Sequence, residues 1–117
     1  MRNDKMKKLD VIIRHSRLNS VKMALLEHNI HGMTVSEVKG FGRQGGHKET
    51  YRGKQFAVDF TPKVKVEIVL EDSMLEDVIT LLCETAATGA VGDGKIFVTS
   101  IDDAVRIRTS ERGEAAL

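Results

Sequence analysis

Pro62-Lys63-Val64-Lys65-Val66-Glu67-Ile68-Val69-Leu70, followed closely by Ser73-Met74-Leu75-Glu76, decides the fold. Val64, Val66, Ile68 and Leu70 fall on one side of an extended chain, and Lys63, Lys65 and Glu67 on the other, the alternation of a half-buried strand. Val58 and Phe60 lead into it. Pro62 has no N–H to donate and therefore suits an edge or a bulge. Ser73 and Glu76 have the S-x-x-E spacing of a capping box. Leu75, Val78, Ile79 and Leu82 then recur with helical spacing to about Ala87. A strand thus runs into an amphipathic helix.

The same pair of elements occurs earlier in the chain. Leu9 to Arg14, with Val11, Ile12 and Ile13, reads as a buried strand, and Met1 to Lys8 before it is charged and expected to fray. Asn19 is the expected N-cap of a helix from Ser20 to about Asn29, with Leu18, Val21, Leu25 and His28 on one face. Gly32 ends that helix, and Met33 to Lys39 reads as the second strand. After the second helix come a Gly-rich turn from Thr88 to Gly94, then short strands at Ile96 to Ile101 and Ala104 to Ile107, and a polar tail from Arg108 to Leu117. The order is βαββαβ, the α+β ferredoxin-like sandwich. Helices are expected on one face of an antiparallel sheet. Val, Ile and Phe residues also read as alternating onto the other face, so self-association is expected to cover it.

Residues 1–117 read as one domain. The net charge of +1 and an aromatic content of 4% speak against a nucleic-acid binder, which needs a basic excess or stacking platforms. No apolar run approaches the roughly 20 residues of a membrane span, and no leader is read before Leu9. The one cysteine, Cys83, sits in the apolar helical pattern and is expected to be buried or half-buried in a cytoplasmic protein.

Between the two halves, Phe41 to Ala57 forms a long loop, glycine-rich to Lys54, of the kind that is usually functional. Gly89-Ala90-Val91-Gly92-Asp93-Gly94-Lys95-Ile96 nearly matches a Walker A loop. It has Ile96 where Ser or Thr belongs, and a helix before it with a strand after, the reverse of a P-loop. Closely spaced glycines with Lys95 suit either a phosphate cradle or a tight connection. Arg106 and Arg108, at i and i+2, are expected on one face of the last strand, where paired guanidiniums suit polyphosphate or an ion pair. His28 and His31 lack accompanying carboxylates and read as surface residues. No catalytic triad or carboxylate pair is legible.

Three segments together resemble the PII family of nitrogen regulators. They are Glu37-Val38-Lys39-Gly40-Phe41-Gly42-Arg43-Gln44 with Gly46-His47 and Tyr51-Arg52-Gly53; Val58-Asp59-Phe60 with Pro62 to Ile68; and Thr88-Gly89 through Gly92-Asp93-Gly94-Lys95-Ile96-Phe97-Val98 with Arg106-Ile107-Arg108-Thr109. The resemblance implies a non-enzymatic homotrimer with ATP or ADP in clefts between neighbours. It assigns nucleotide contacts to Thr34, Gly40, Gly42, Arg43, Val69, Thr88, Gly92, Asp93, Gly94, Lys95, Arg106 and Arg108. It implies 2-oxoglutarate bound beside Mg-ATP, with Gln44 on the metal and Gln44, Gly46 and Lys63 on the effector. The loop, with Tyr51, Arg52 and Gly53, would dock on an ammonium transporter, a metabolic enzyme or a transcription regulator.

The chain also departs from the family pattern. Phe56 stands where many bacterial members have the uridylylated Tyr, so that modification is not expected. Lys54 replaces a phosphorylated Ser of cyanobacterial members. Gly45 and Ala90 each replace a frequent Lys, and Ser110 replaces the Gly of R-T-G-E. Two alternatives stand beside this reading. One is a PII-like paralogue sensing nucleotide or another metabolite outside nitrogen control. The other is an acylphosphatase-like hydrolase using Arg14 and Asn19, around which no matching loop is found.

Overall fold

The computed structural model describes residues 5–40, 49–51, 54–56 and 60–117. Strand β1 (Met6–Arg14) is followed by helix α1 (Leu18–Glu27) and strand β2 (Thr34–Gly40). A short antiparallel pair, β3 (Glu49–Tyr51) and β4 (Lys54–Phe56), lies in the long connection. Then come β5 (Thr61–Glu71), α2 (Leu75–Ala86) and β6 (Gly94–Ser100). The main sheet has the order β2-β5-β1-β6, antiparallel throughout, the α+β ferredoxin-like arrangement.

Register places the apolar halves of the strands on one face. Leu9, Val11 and Ile13 of β1 sit opposite Ile68, Val66 and Val64 of β5. These six residues join Val21 and Leu25 of α1 and Val78 and Leu82 of α2 in one core, each at most 2% exposed. Burying a side chain of this size contributes on the order of 1.5–3 kcal/mol, so the core supplies the main stabilising term. Both helices must lie on this face, because their buried stripes have nowhere else to go.

The opposite face differs from expectation. It carries Lys8, Asp10, Ile12 and Arg14 of β1 beside Val69, Glu67, Lys65 and Lys63 of β5. Ion pairs run across it: Lys8 Nζ lies 3.2 Å from Glu67 and 3.6 Å from Asp10, and Lys65 lies 3.9 Å from Glu67. Its apolar residues, among them Ile12, Val69 and Phe97, are spaced between charges instead of forming a second apolar layer.

Strand β1 begins at Met6, so the expected fraying does not reach Met6 to Lys8. Met6 is 3% exposed and pairs with Glu71. Neither expected helix cap forms, for one shared reason. In both halves the strand passes into a 3-10 turn, His15–Arg17 or Asp72–Met74, that runs directly into the helix. The residue before each helix, Arg17 or Met74, is already in the right-handed helical region, with no side-chain cap bond. Asn19 therefore lies inside α1, and Ser73 inside the turn. Pro62 sits in β5, an inner strand. Its position is still locally an edge, since pairing with β1 ends at Lys63 and Pro62 faces only Lys39 of β2. Cys83 is exposed, contrary to expectation, because it lies one residue past buried Leu82 and is turned about 100° off the buried stripe.

Ala104 to Ile107 is not a strand. Only one bridge, Val105 to Arg112, closes a tight reversal held by Arg106 N–H to Glu111 O (2.9 Å) and Ser110 N–H to Arg106 O (2.7 Å). A 3-10 turn, Gly113–Ala116, follows.

Candidate functional site

The Gly-rich connection between α2 and β6 is built around Asp93. Its carboxylate accepts from Thr88 N–H (2.7 Å), Gly89 N–H (2.9 Å), the Thr88 hydroxyl and Arg14 Nε (3.0 Å). These bonds, first those from Thr88 and then that from Arg14, hold the Asp93 carboxyl well below the ordinary carboxylate range. Asp93 therefore organises the loop as an anion, with its charge committed to the chain's own donors.

The loop bends back over the ends of β1 and β5. Arg14 Nη2 donates to Val91 O (2.7 Å), and Lys63 Nζ donates to Gly92 O. Gly92 favours glycine through its φ of +97°, and a Cβ there would stand 3.2 Å from Arg14 Nη2, which would have to give way. Arg14 and Lys63 are cross-strand partners, so register alone brings two cations together. Burial, and next the Arg14 charge, lower the Lys63 pKa below its ordinary value, with Asp93 opposing. Lys95 pairs with Ile12 on the same sheet face. Gly40 closes the corner: a Cβ there would approach Lys63 Cγ to 3.0 Å. Lys63, Thr88, Gly92, Asp93, Gly94, Lys95 and the Gly40 stem thus meet at one corner. Arg14, read in the sequence only as a candidate for the hydrolase alternative, belongs there too. Finding it required the β1–β5 register, which the sequence signals only as two strands ending in cations.

Thr34 and Val69 lie elsewhere. Thr34 pairs with Glu67, and both Thr34 and Val69 line a cavity of about 580 Å³ that Glu114 and Leu117 also line. Val69 is six residues along β5 from Lys63, about 20 Å at the rise of a strand. Arg106 belongs to this second end, donating from Nη2 to Leu117 O (3.0 Å) and from Nη1 to Glu111 (3.0 Å). The expectation that Arg106 and Arg108 share a strand face fails with the strand itself. Arg108 is exposed in the reversal that follows Arg106. Gly42, Arg43, Gln44, Gly46, Arg52 and Gly53 lie outside the described residues. Tyr51 and Phe56 are described as backbone of β3 and β4.

Among the described residues no group of three His, Cys, Asp or Glu could hold a metal, and His28 and His31 are both exposed. No helix among them is long and apolar enough to cross a membrane. The first corner offers paired cations, glycine backbone and no spare carboxylate, a set that fits an anionic phosphate or carboxylate.

Comparison with known proteins gives a consistent result. The sequence pattern described as "Nitrogen regulatory protein P-II" matches residues 6–111. Nitrogen regulatory protein P-II of Azospirillum brasilense is 54% identical over 112 residues, covering 96% of this chain and all of that one. Nitrogen regulatory protein P-II 1 of Escherichia coli K12 is 53% identical over the same span and coverage. A crystal structure of Arabidopsis thaliana PII bound to citrate superposes with a TM-score of 0.79 at 43% identity, over 97% of this chain and 92% of that one. Those relatives, the shared ferredoxin-like fold and the glycine-rich corner beside Lys63 lead to one assignment: the chain belongs to the P-II family of nitrogen regulatory proteins, signalling regulators and not enzymes.

Proposed function

We propose that this regulator senses ATP or ADP together with 2-oxoglutarate and reports to partner proteins through residues 41–57. The observation that carries the reading is the corner where Arg14 donates to Val91 O and Lys63 to Gly92 O, on a loop shaped by three positive-φ glycines, Gly89, Gly92 and Gly94. Burial and then the Arg14 charge lower the Lys63 pKa, and an incoming carboxylate or phosphate offsets the repulsion between the two cations. In this reading Lys95 and the loop backbone receive phosphates, and Lys63 offsets a carboxylate of 2-oxoglutarate. A dicarboxylate beside a triphosphate needs a divalent cation between them, so Mg-ATP precedes the effector and the linkage is reciprocal. Asp93 is committed to its own loop, which leaves the Gln44 amide oxygen, the ligands and solvent to complete the Mg shell.

The split between the two ends supports a homotrimer. Val69 lies about 20 Å along β5 from Lys63, and this separation favours a nucleotide shared between copies, with Thr34 and Val69 around the base and Arg106 of a neighbouring copy on the phosphates. Exposed Phe97 (54%) and Ile107 (96%) give such a neighbour apolar surface to cover. The partner is an ammonium transporter, a metabolic enzyme or a transcription regulator, met in the cytoplasm by the loop carrying Tyr51, Arg52 and Gly53. Uridylylation does not occur at position 56, since Phe56 has no hydroxyl.

Calorimetric titration of 2-oxoglutarate, with and without saturating Mg-ATP, tests the reading. Binding that appears with Mg-ATP and is lost in Lys63→Ala, while ATP binding survives, is expected. ATP binding with no response to 2-oxoglutarate would leave a paralogue reading nucleotide outside nitrogen control.

A further inference from the structure

Arg106 is occupied by its own chain. Nη1 donates to Glu111 Oε1 (3.0 Å), and Nη2 donates to Leu117 O (3.0 Å). Glu111 is itself held in place, because the Thr109 hydroxyl donates to the same Oε1 (2.9 Å) and the Glu111 N–H donates back to that hydroxyl (3.2 Å). The backbone closes the same turn through Arg106 N–H to Glu111 O. The following segment is anchored separately. Arg112 Nε donates to Asp103 Oδ2 (2.9 Å), and Gly113 N–H donates to Asp103 Oδ1 (3.2 Å). Leu117 and Glu114 then form part of the wall of the cavity that holds Thr34 and Val69.

Glu111 and Leu117 O together occupy the Nη1/Nη2 edge of the guanidinium, and a phosphate engages that same edge through paired N–H donors. They compete for it. We infer that Glu111 and the Leu117 main-chain oxygen form an autoinhibitory latch on Arg106, which a nucleotide phosphate must displace before it can engage the Nη1/Nη2 edge. The inference rests on the proposed role of Arg106 as a phosphate contact. Glu111 competes with every anion for that edge, so each binds less tightly than it would to an unlatched Arg106. Because the pair is exposed, the competition is modest, and its removal strengthens binding by roughly twofold to fivefold.

Calorimetric titration of Mg-ATP into wild type, Glu111→Gln, Glu111→Ala, Arg106→Ala and the double variant Arg106→Ala/Glu111→Gln tests this. Binding by wild type, weakened in Arg106→Ala and strengthened roughly twofold to fivefold in both Glu111 variants, is expected. In the Arg106→Ala background Glu111→Gln should change nothing, since no fork remains to compete for. Circular dichroism melting of each variant checks that all are folded. Weaker binding in the folded Glu111 variants would mean that Glu111 positions Arg106, and unchanged binding that it does not compete; either overturns the latch and leaves nucleotide sensing intact. If Arg106→Ala binds as tightly as wild type, Arg106 is not a phosphate contact and the latch falls. Absence of Mg-ATP binding by wild type would remove nucleotide sensing itself, and the latch with it.

Discussion

Gly94 opens β6 with φ +120°, and a Cβ built on it would lie 1.8 Å from Ile12 O and 2.9 Å from Ile12 C. Both atoms belong to the backbone of an inner strand, so neither can move without disturbing the sheet. Gly94→Ala should destabilise the protein by roughly 2–4 kcal/mol, combining left-handed strain with displacement of β1. Urea unfolding at equilibrium measures it, and a loss below about 1 kcal/mol would contradict this approach of the two strands. Ser110 is the opposite case. It adopts φ +63° where the family pattern has Gly. That conformation costs a non-glycine residue about 1–2 kcal/mol, partly offset because glycine gains more freedom in the unfolded chain. Ser110→Gly should therefore stabilise by about 0.5–1 kcal/mol in the same assay, and destabilisation would mean that the Ser110 side chain contributes something its backbone angle does not reveal.

At the scale of elements, the Thr88–Asp93 loop takes its shape from one carboxylate. The Asp93 pKa lies below its ordinary 3.8 because four donors stabilise the charged form. A carboxyl group depressed on folding contributes stability that is complete above the unfolded value and is lost as pH falls through the folded one. The melting-temperature difference between wild type and Asp93→Asn should then hold steady from about pH 7 to pH 5 and shrink below about pH 4. A difference independent of pH would assign the loop's stability to packing. The near-Walker spacing showed that this loop was glycine-rich and cationic, and its reversed flanks correctly excluded a P-loop. It did not show Asp93 as the loop's organiser, because that role depends on donors from Thr88 next door and from Arg14, 79 residues away. Strand and helix alternation was legible in the apolar periods, which reflect the core directly. Caps were not, because both helices begin from a 3-10 turn whose hydrogen bonds replace those a Ser or Asn side chain would accept. The false last strand at Ala104 to Ile107 arose from alternation alone; the chain reverses there at Ser110, which carries no glycine to announce the turn.

At the scale of the molecule, the two halves of the proposed nucleotide site lie at opposite ends of one chain, with Lys95 at one and Arg106 at the other. In the proposed trimer a closed ring of copies would join them head to tail, each site taking its loop from one subunit and its Arg106 from the next. This geometry predicts complementation. Lys95→Ala and Arg106→Ala should each bind Mg-ATP weakly as pure proteins. If the two are unfolded together and refolded as a mixture, a site with an intact loop from an Arg106→Ala subunit and an intact arginine from a Lys95→Ala subunit regains both contacts. With random assortment of equal amounts, about a quarter of all sites are complete in this way. Calorimetry of the mixture should show a high-affinity fraction near that value, absent when the two proteins are combined without unfolding. If no tight fraction appears, although size measurements show that mixed oligomers have formed, then both residues act within one chain or one of them lies outside the site. The register distance argues against the first: β5 keeps the two ends apart as an inner strand paired on both sides over Lys63 to Glu67 and with β1 as far as Glu71.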